Sequence, residues 1–319
     1  MRAEKYSGAG AIRLSKSYQQ QLLSLLREWF PAIPLSQWQI TALAGLGGGT
    51  FRLQSNGIDW VARYYGTEKT ALFVRAKKES SILKQLLNTQ LAPNIIKRHG
   101  AWFFFQWLEG EHLTHQQLFG SHLKLLAHQI AKLHQQKPFG FPLDLWHELS
   151  VYWYHIDRKR LSPKWLRLHH DFLRQPRRTL IKYAPAHMDL HPENILLSDS
   201  GIKFIDWEYA ADIDTADSLM TFFAANQLNS AQQTAFLHEY CAYHHYTELT
   251  ELNNDQQNRQ HPQQQSFYSV NVLKQRILSR EPFILYMMLM WYEVRWQQTK
   301  DNAFLAMSEP LRRYFSLMN

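Results

Sequence analysis

The most informative part of the sequence is the run of residues 184–210, which reads APAHMDLHPENILLSDSGIKFIDWEYA. Residues 187–194 are mostly polar and include a proline, so this part predicts a loop. Two short apolar segments follow, at residues 195–197 and 202–205, and the residues between them have the composition of a turn. The sequence therefore predicts a loop that leads into a small β-hairpin.

Three side chains in this run have the chemistry and spacing of a magnesium-dependent phosphotransfer site: Asp189, Asn194 and Asp206. The predicted hairpin places Asn194 at the start of its first strand and Asp206 at the end of its second, so these two side chains should converge. Magnesium binds oxygen ligands, usually one or two carboxylates together with substrate phosphates, which makes both residues candidate ligands. Asp189 would orient the hydroxyl group that attacks the γ-phosphate. The alternative interpretation is a polar loop whose side chains only cap backbone groups.

The pattern His187-x-Asp189-x-x-x-x-Asn194, followed by a strand that ends in Ile-Asp, resembles the catalytic segment of the aminoglycoside phosphotransferase and choline kinase superfamily. Within that superfamily, residues 185–214 and 290–304 resemble the bacterial thiamine kinases. The resemblance implies an α+β, two-lobed, protein-kinase-like fold, with a small β-rich N-terminal lobe and a larger, mainly helical C-terminal lobe. In such a fold His187 would brace the catalytic loop.

The resemblance also implies a reaction. ATP and Mg²⁺ would be the cofactors, and the acceptor would be a small cationic alcohol. Thiamine is the favoured acceptor, giving thiamine phosphate in vitamin B1 salvage, and choline, ethanolamine and aminoglycosides are the alternatives. A different class of function is a catalytically inactive pseudokinase that only binds ligands, although all three residues of the expected magnesium centre are present.

The boundary between the lobes is expected where an apolar run ends and polar residues begin. We expect a nucleotide-binding lobe over residues 1–108, opening with a helix over residues 18–30, and a catalytic and substrate-binding lobe over residues 109–319. The resemblance implies that this junction is a hinge, where backbone groups near Gln106 and Leu108 would bind adenine.

The N-terminal lobe also offers residues that could bind phosphate. A glycine-rich segment lets backbone N–H groups approach phosphate oxygens, although glycines of this kind also occur in ordinary hairpin turns. The candidates in it are Gly47, Gly48, Gly49 and Thr50. Arg63 lies on the next predicted strand, where kinases carry a phosphate-binding lysine, and Glu79 on the following helix could pair with it. The alternative for Arg63 is a surface arginine.

A cationic acceptor needs acidic or aromatic groups around it. Acidic residues cluster after Asp206 in a chain that is basic overall, which suits a site that holds both a metal ion and a cation. Aromatic faces also attract cations. The candidate substrate contacts are Trp207, Glu208, Asp212, Trp291 and Glu293. The alternatives are helix capping for the acidic residues and core packing for the aromatic ones.

Composition excludes several other classes of function. The chain has 319 residues and 45% hydrophobic content, which is enough for a sizeable core. Its single cysteine, Cys241, excludes an internal disulfide and a cysteine-based zinc site. The formal charge of +8 suits a nucleic-acid or membrane partner as well as ATP capture, but the basic residues are scattered and carry no nucleic-acid-binding signature. We therefore expect a small-molecule partner, with no nucleic acid and no membrane.

The remaining expectations concern location, assembly and two local features. The N-terminus lacks an apolar signal region, and the longest apolar run, residues 282–292, is too short to span a bilayer, so we expect a cytoplasmic protein, as a monomer. Residues 253–266 are polar and low in complexity, which predicts a disordered loop. His122, His128 and His134 are spaced six apart on a predicted helix and are expected to face solvent.

Overall fold

The structure is a computed structural model that describes residues 9–43, 49–65, 72–177, 180–254 and 269–317. The chain divides into two compact units, Met1–Gly110 and Glu111–Asn319. The division falls just after an apolar strand, where the sequence becomes polar. Each unit has its own strands and its own helices.

The N-terminal unit contains a five-stranded antiparallel sheet. Its strands are β1 (Gln39–Ala42), β2 (Thr50–Ser55), β3 (Ile58–Tyr64), β4 (Ile95–His99) and β5 (Trp102–Gln106), and its helices are α1 (Ala9–Trp29) and α2 (Ala76–Gln85). The strand order is β1-β2-β3-β5-β4. Helix α1 is the predicted leading helix and begins earlier than expected.

Helix α1 and the sheet share one hydrophobic core. Burial alternates along β2, where Phe51 and Leu53 are buried and their neighbours are half-exposed, because successive side chains of a strand point to opposite faces. Leu22 and Leu26 of α1 are four residues apart, on one face of the helix, and lie in the same buried cluster. The leading helix is therefore a structural element.

The C-terminal unit is mainly helical. Its helices are α3 (His115–Leu118), α4 (Leu123–His134), α5 (Leu145–His155), α6 (Pro163–Arg174), α7 (Thr215–Ala225), α8 (Ser230–Asn254), α9 (Val270–Leu278), α10 (Glu281–Thr299) and α11 (Asn302–Tyr314). Its strands are β6 (Glu111–His112), β7 (Tyr183–Ala186), β8 (Ile195–Ser198), β9 (Gly201–Phe204) and β10 (Ala211–Asp214). They form a three-stranded sheet, β6-β8-β9, and a two-stranded sheet, β10-β7. The predicted combination of a β-rich first part and a helical second part is observed.

Strands β8 and β9 form the predicted hairpin. Ile195 pairs with Phe204, and Ser198 pairs with Gly201. Gly201 has a φ of +103°, which a residue with a side chain rarely adopts, and Ser198 Oγ donates a hydrogen bond to Gly201 O at 2.8 Å. The turn is thus fixed, and the open end of the hairpin lies next to the catalytic loop.

The predicted disordered loop is only partly within the described residues. Helix α8 continues to Asn254, so Asn253 and Asn254 are helical instead of belonging to a loop. Residues 255–266 lie outside the described part of the chain. In the part that is described, every helix is too short or too polar to cross a bilayer.

His134, at the end of α4, is buried, contrary to expectation. Its Nδ1 atom lies 2.9 Å from the hydroxyl oxygen of Tyr240 on α8, and its Nε2 atom lies 3.1 Å from Ser218 Oγ on α7. Burial lowers the pKa of His134 to about 3, so the ring is neutral at neutral pH. His134 therefore links three helices as a neutral hydrogen-bonding group.

Candidate active site

The predicted catalytic loop, residues 187–194, begins directly after β7 with a buried histidine. His187 Nε2 donates a hydrogen bond to the carbonyl oxygen of Ile205, just after β9, at 2.9 Å. Burial lowers the pKa of His187 to about 4, although the carboxylates of Asp189 and Asp206 oppose this shift. The neutral ring therefore ties the loop to the hairpin, which is the contact that a bracing role requires.

Asp189 is held by the side chain of Asn194. The buried Asn194 donates from Nδ2 to the backbone oxygen of Asp189 at 2.8 Å and to its carboxylate oxygen Oδ2 at 3.1 Å. The Asp189 side chain remains 37% exposed, so its carboxylate is fixed in direction yet open to a ligand. The backbone oxygen of Asn194 accepts a hydrogen bond from Ile205 N at 3.0 Å, which places Asn194 beside Asp206.

Two residues of this site have unusual backbone conformations. Met188, which precedes Asp189, has a φ of +66°, and Asp206 has a φ of +65°. A non-glycine residue in the left-handed region costs about 1–3 kcal/mol and persists only where surrounding contacts enforce it. The hydrogen bonds of His187 and Asn194 supply such contacts.

The donor atoms near the hairpin's open end suit a magnesium ion. Because Nδ2 of Asn194 donates to Asp189, its oxygen Oδ1 is left as an acceptor. Asp206 adds a half-buried carboxylate one residue after Ile205. An amide oxygen and a carboxylate are hard ligands, and magnesium usually takes its other ligands from phosphate and water.

His191 is a neighbour of Asp189 that sequence reasoning missed. Its Nδ1 atom lies 2.7 Å from Glu193 Oε2, and its Nε2 atom lies 3.7 Å from Asp189 Oδ2. Burial lowers the pKa of His191, but hydrogen bonds and charge from Asp189 and Glu193 outweigh it and raise the pKa to about 9. The pKa of His191 is therefore above that of an unpaired histidine, and its Nε2 atom also lies 3.0 Å from the Asn194 amide nitrogen. Its position between two acidic residues of the loop was the available signal.

Aromatic side chains of α10 pack against Tyr209, which follows the hairpin. Burial raises the pKa of both Tyr209 and Tyr292; the charge of Glu208 and then that of Asp189 add to the shift at Tyr209, and the charge of Asp189 adds to it at Tyr292. Trp291 meets Tyr209 edge-to-face, with ring centroids 6.2 Å apart, and Tyr292 at 5.4 Å. Glu208, which precedes Tyr209, is half-buried. Trp291 and Glu208 thus remain candidates for substrate contact.

Trp207 and Asp212, predicted as substrate contacts, have structural roles instead. Trp207 is 0% exposed and donates from Nε1 to the carbonyl oxygen of Phe204 at 2.8 Å. Asp212 is 1% exposed, and its two carboxylate oxygens accept hydrogen bonds from Phe139 N at 2.7 Å and Phe141 N at 2.9 Å. Neither side chain has a surface left for a substrate.

Glu293 is also a structural residue, contrary to the prediction. Its side chain is 0% exposed. It accepts a hydrogen bond from Arg160 Nη2 at 2.9 Å, from Arg312 Nη1 at 3.2 Å and from Ser308 Oγ at 3.2 Å. These contacts connect α10 to α11 and to the segment between α5 and α6. A carboxylate enclosed in this way stabilises the fold and does not reach a ligand.

Part of the predicted glycine-rich phosphate loop is described. Gly47 and Gly48 lie outside the described residues. The backbone oxygen of Gly49 accepts a hydrogen bond from Tyr64 N at 2.9 Å, and Thr50 begins β2. A Cβ atom on Gly49 would lie only 3.2 Å from Tyr64 Cβ, so the two strands approach closely here. Phosphate binding by Gly49 and Thr50 stays a prediction.

The predicted ion pair of Arg63 and Glu79 is present. Arg63 Nη1 lies 3.8 Å from Glu79 Oε1, and the hydroxyl of Tyr65 also hydrogen-bonds to this carboxylate. Glu79 is almost fully buried, whereas the Arg63 side chain is 23% exposed. The pair therefore fixes a guanidinium that solvent still reaches, and its contact with phosphate stays a prediction.

The predicted adenine contacts at residues 106–108 differ in their accessibility. Gln106 N donates to the backbone oxygen of Asn94 at 3.0 Å, and Trp107 N donates to Asp59 O at 3.0 Å. Both N–H groups therefore already donate to backbone oxygens of the N-terminal unit. The N–H group of Gln106, a predicted adenine contact, is thus not available to a nucleotide. Leu108 is half-buried, and its contact with adenine stays a prediction.

Comparison with known proteins identifies the family. The model of the family described as "Phosphotransferase enzyme family" matches residues 40–252, which include the catalytic loop and the hairpin. The chain belongs to this family. The predicted phosphotransferase class is therefore confirmed. Thiamine kinase from Escherichia coli O1:K1 is similar to this phosphotransferase at 27% identity over 288 residues, covering 89% of this chain and 92% of the relative. Thiamine kinase from Shigella dysenteriae serotype 1 matches to the same extent.

Solved structures show the fold of this phosphotransferase. Choline kinase LicA from Streptococcus pneumoniae superposes with a TM-score of 0.68 at 14% identity, covering 93% of this chain and 100% of LicA. Ethanolamine kinase from Plasmodium vivax gives a TM-score of 0.67 at 15% identity, covering 99% and 95% of the two chains. The predicted protein-kinase-like fold is confirmed.

Proposed function

We propose that this phosphotransferase uses ATP and Mg²⁺ to phosphorylate the hydroxyl group of thiamine, giving thiamine phosphate. The relatives named thiamine kinase, which match 89% of the chain, support this acceptor. One observation carries the proposal: the carboxylate of Asp189 is fixed in direction by Asn194 and is still 37% exposed. A carboxylate that is both directed and accessible suits a group that orients an alcohol.

In the proposed reaction Asp189 orients the acceptor. Its carboxylate accepts a hydrogen bond from the attacking hydroxyl group and takes the proton as the bond to the γ-phosphorus forms, while the bond from the γ-phosphorus to the bridging oxygen breaks and ADP leaves. A loose phosphoryl transition state needs little early proton removal, so positioning is the larger contribution. His187 and Asn194 keep the loop in place, and the ring of His191 lies 3.7 Å from the Asp189 carboxylate.

The metal and nucleotide would be held by residues that are already constrained. Asn194 Oδ1 and the Asp206 carboxylate would hold Mg²⁺, which supplies charge compensation for the phosphates when bound. Gly49, Thr50 and Arg63 would contact the phosphates, and Leu108 would contact the adenine. The buried Glu79 keeps the Arg63 guanidinium in a fixed position for that purpose.

The acceptor would be recognised by its positive charge and its rings. Thiamine carries a cationic thiazolium ring, and the faces of Trp291, Tyr209 and Tyr292 can attract such a cation. The half-buried carboxylate of Glu208 adds an opposite charge beside Tyr209. We further propose a cytoplasmic monomer that binds neither nucleic acid nor membranes.

Choline or ethanolamine is the second candidate acceptor. The structural likeness to a choline kinase and an ethanolamine kinase favours it. Choline and ethanolamine, like thiamine, are cationic primary alcohols. A catalytically inactive ligand-binding protein is the alternative from another class.

Turnover with a panel of acceptors tests the proposal. The purified chain is incubated with ATP, Mg²⁺ and thiamine, choline, ethanolamine, hydroxymethylpyrimidine or an aminoglycoside, and product formation is measured. We expect kcat/KM for thiamine to exceed that for choline by about 100-fold or more, because choline lacks the aromatic rings. A higher kcat/KM for choline would establish the second candidate, and failure to phosphorylate any acceptor would support the inactive protein.

A further inference from the structure

Asn226 lies directly after helix α7 and contacts the catalytic loop. It is 4% exposed, and its backbone N–H group donates to Phe222 O at 3.2 Å, so its position is set by the end of the helix. The backbone oxygen of Asn226 lies 2.8 Å from Nε2 of His115 on α3. The backbone N–H group and the backbone oxygen of Asn226 therefore both fix its position, independently of its side chain.

The side-chain amide of Asn226 reaches the residue that follows Asp189. Nδ2 donates a hydrogen bond to the carbonyl oxygen of Leu190 at 2.7 Å and another to the carbonyl oxygen of Phe222 at 2.8 Å. Leu190 is 7% exposed, so its carbonyl oxygen would have difficulty finding a replacement partner in water. One amide group therefore connects the helix end to the loop.

The side-chain oxygen of Asn226 indicates that this position is suited to a hydrogen-bond donor. The oxygen Oδ1 of Asn226 is buried and has no hydrogen-bond partner among the residues that the structure describes. A buried unpaired acceptor carries a desolvation cost that an alanine at this position would not carry. The amide is stabilised here by its two donated hydrogen bonds, one of which goes to the loop.

We propose that Asn226 is a positioning residue for Asp189. Asn194 holds the Asp189 carboxylate and backbone oxygen, and Asn226 holds the next carbonyl group along the chain. Met188, which precedes Asp189, has a φ of +66°. Contacts on both sides of the aspartate are therefore needed to hold the loop in this conformation. This inference rests on the proposed phosphotransferase function, in which Asp189 orients the acceptor.

Two variants of Asn226 test the inference against a control on the same helix. Asn226→Ala removes both donated hydrogen bonds, and Asn226→Asp keeps the shape but replaces the donor with a carboxylate. Phe223→Leu is the control, because Phe223 is buried against Phe236 and its loss weakens α7 packing without touching the loop. For all three, kcat, the KM for ATP, the melting temperature and hydrogen exchange of the peptide covering residues 187–194 are measured.

We expect both Asn226 variants to lower kcat about 10- to 100-fold, because a small displacement of a positioned group has this effect. The KM for ATP should stay within about twofold, since these variants affect the transition state and not nucleotide binding. Amide exchange in the loop peptide should rise in both Asn226 variants and remain unchanged in Phe223→Leu, which should keep kcat within about threefold of wild type.

Three outcomes would overturn the inference. The first is that the Asn226 variants retain kcat within about threefold of wild type. The second is that hydrogen exchange of the loop peptide does not change. The third is that Phe223→Leu loses as much kcat as Asn226→Ala when both variants have lost the same melting temperature. If the wild-type chain phosphorylates no acceptor, the proposed function fails, and hydrogen exchange alone then decides whether Asn226 holds the loop.

Discussion

At the scale of single residues, the site is defined by which atoms donate and which accept. One amide group, on Asn194, directs the Asp189 carboxylate, and the use of its nitrogen leaves its oxygen for a cation. By contrast, Asp212 and Glu293 have acidic side chains whose oxygens are occupied by buried donors. Residue type alone does not separate these two situations, because the difference lies in the partners.

Replacement of Asp189 tests its assigned role. We expect Asp189→Ala to lower kcat by about 10²- to 10⁴-fold, because the acceptor hydroxyl group loses its orienting partner. ATP affinity, measured by calorimetry, should change less than about twofold, since the phosphate-binding residues are intact. Asp199→Ala, in the exposed turn of the same hairpin, is the matched control and should keep wild-type turnover. Normal turnover in Asp189→Ala would show that the orienting residue is elsewhere.

Replacement of Glu293 separates a structural role from a substrate role. We expect Glu293→Gln to lower the free energy of unfolding by about 3 kcal/mol, because Arg160 and Arg312 lose a buried counter-charge. The KM for the acceptor, measured at a temperature where the variant is folded, should stay within about twofold of wild type. The control is Glu309→Gln, which breaks a more exposed pair with Arg313 and should cost less than about 1 kcal/mol. A large rise in KM with unchanged stability would restore Glu293 as a substrate contact.

At the scale of elements, His134 shows how helices α4, α7 and α8 are held together. Its ring nitrogens face hydroxyl groups of Tyr240 and Ser218, each on a different helix. Burial lowers the pKa of His134 to about 3 from an ordinary value of 6.5, so the fold accepts only the neutral ring. Because the unfolded chain binds the proton more readily, acid shifts the equilibrium towards unfolding.

This linkage predicts the direction of a pH effect. The stabilisation from neutral His134 is complete above pH 6.5 and is lost as the pH falls towards about 3. The loss should approach about 1.4 kcal/mol for each pH unit. His134→Gln cannot titrate, so its free energy of unfolding, measured by urea denaturation, should decline less steeply than that of wild type in this range. His155→Gln, at an exposed site, is the control and should follow the wild-type slope. Parallel slopes for wild type and His134→Gln would contradict the assignment.

At the scale of the whole molecule, the sequence predicts what is encoded locally. The loop and the hairpin lie within residues 184–210, where turn chemistry and alternating apolar residues determine the structure, and both were predicted. The Arg63–Glu79 pair was also predicted, because kinases carry a lysine and a glutamate that pair at the corresponding strand and helix. The fold class followed from the same motif because the motif is specific to one superfamily.

Contacts between distant parts of the chain could not be predicted in this way. Asn226 reaches Leu190 across 36 positions, and Asp212 reaches Phe139 across 73. Nothing near Asp212 or Trp207 in the sequence distinguishes a ligand-facing side chain from one that closes a gap in the core. Burial of these residues depends on how helices and strands pack, which periodicity alone does not determine.

The catalytic loop and the aromatic residues of α10 belong to different parts of the chain. The loop is fastened to β9 through His187 and to the end of α7 through Asn226, whereas Trp291 and Tyr292 lie on a helix in the last quarter of the sequence. In the proposed function, mutations at these two positions would change acceptor preference while the catalytic loop is retained. If the proposal holds, related enzymes with the same loop could diverge in acceptor through changes confined to one C-terminal helix.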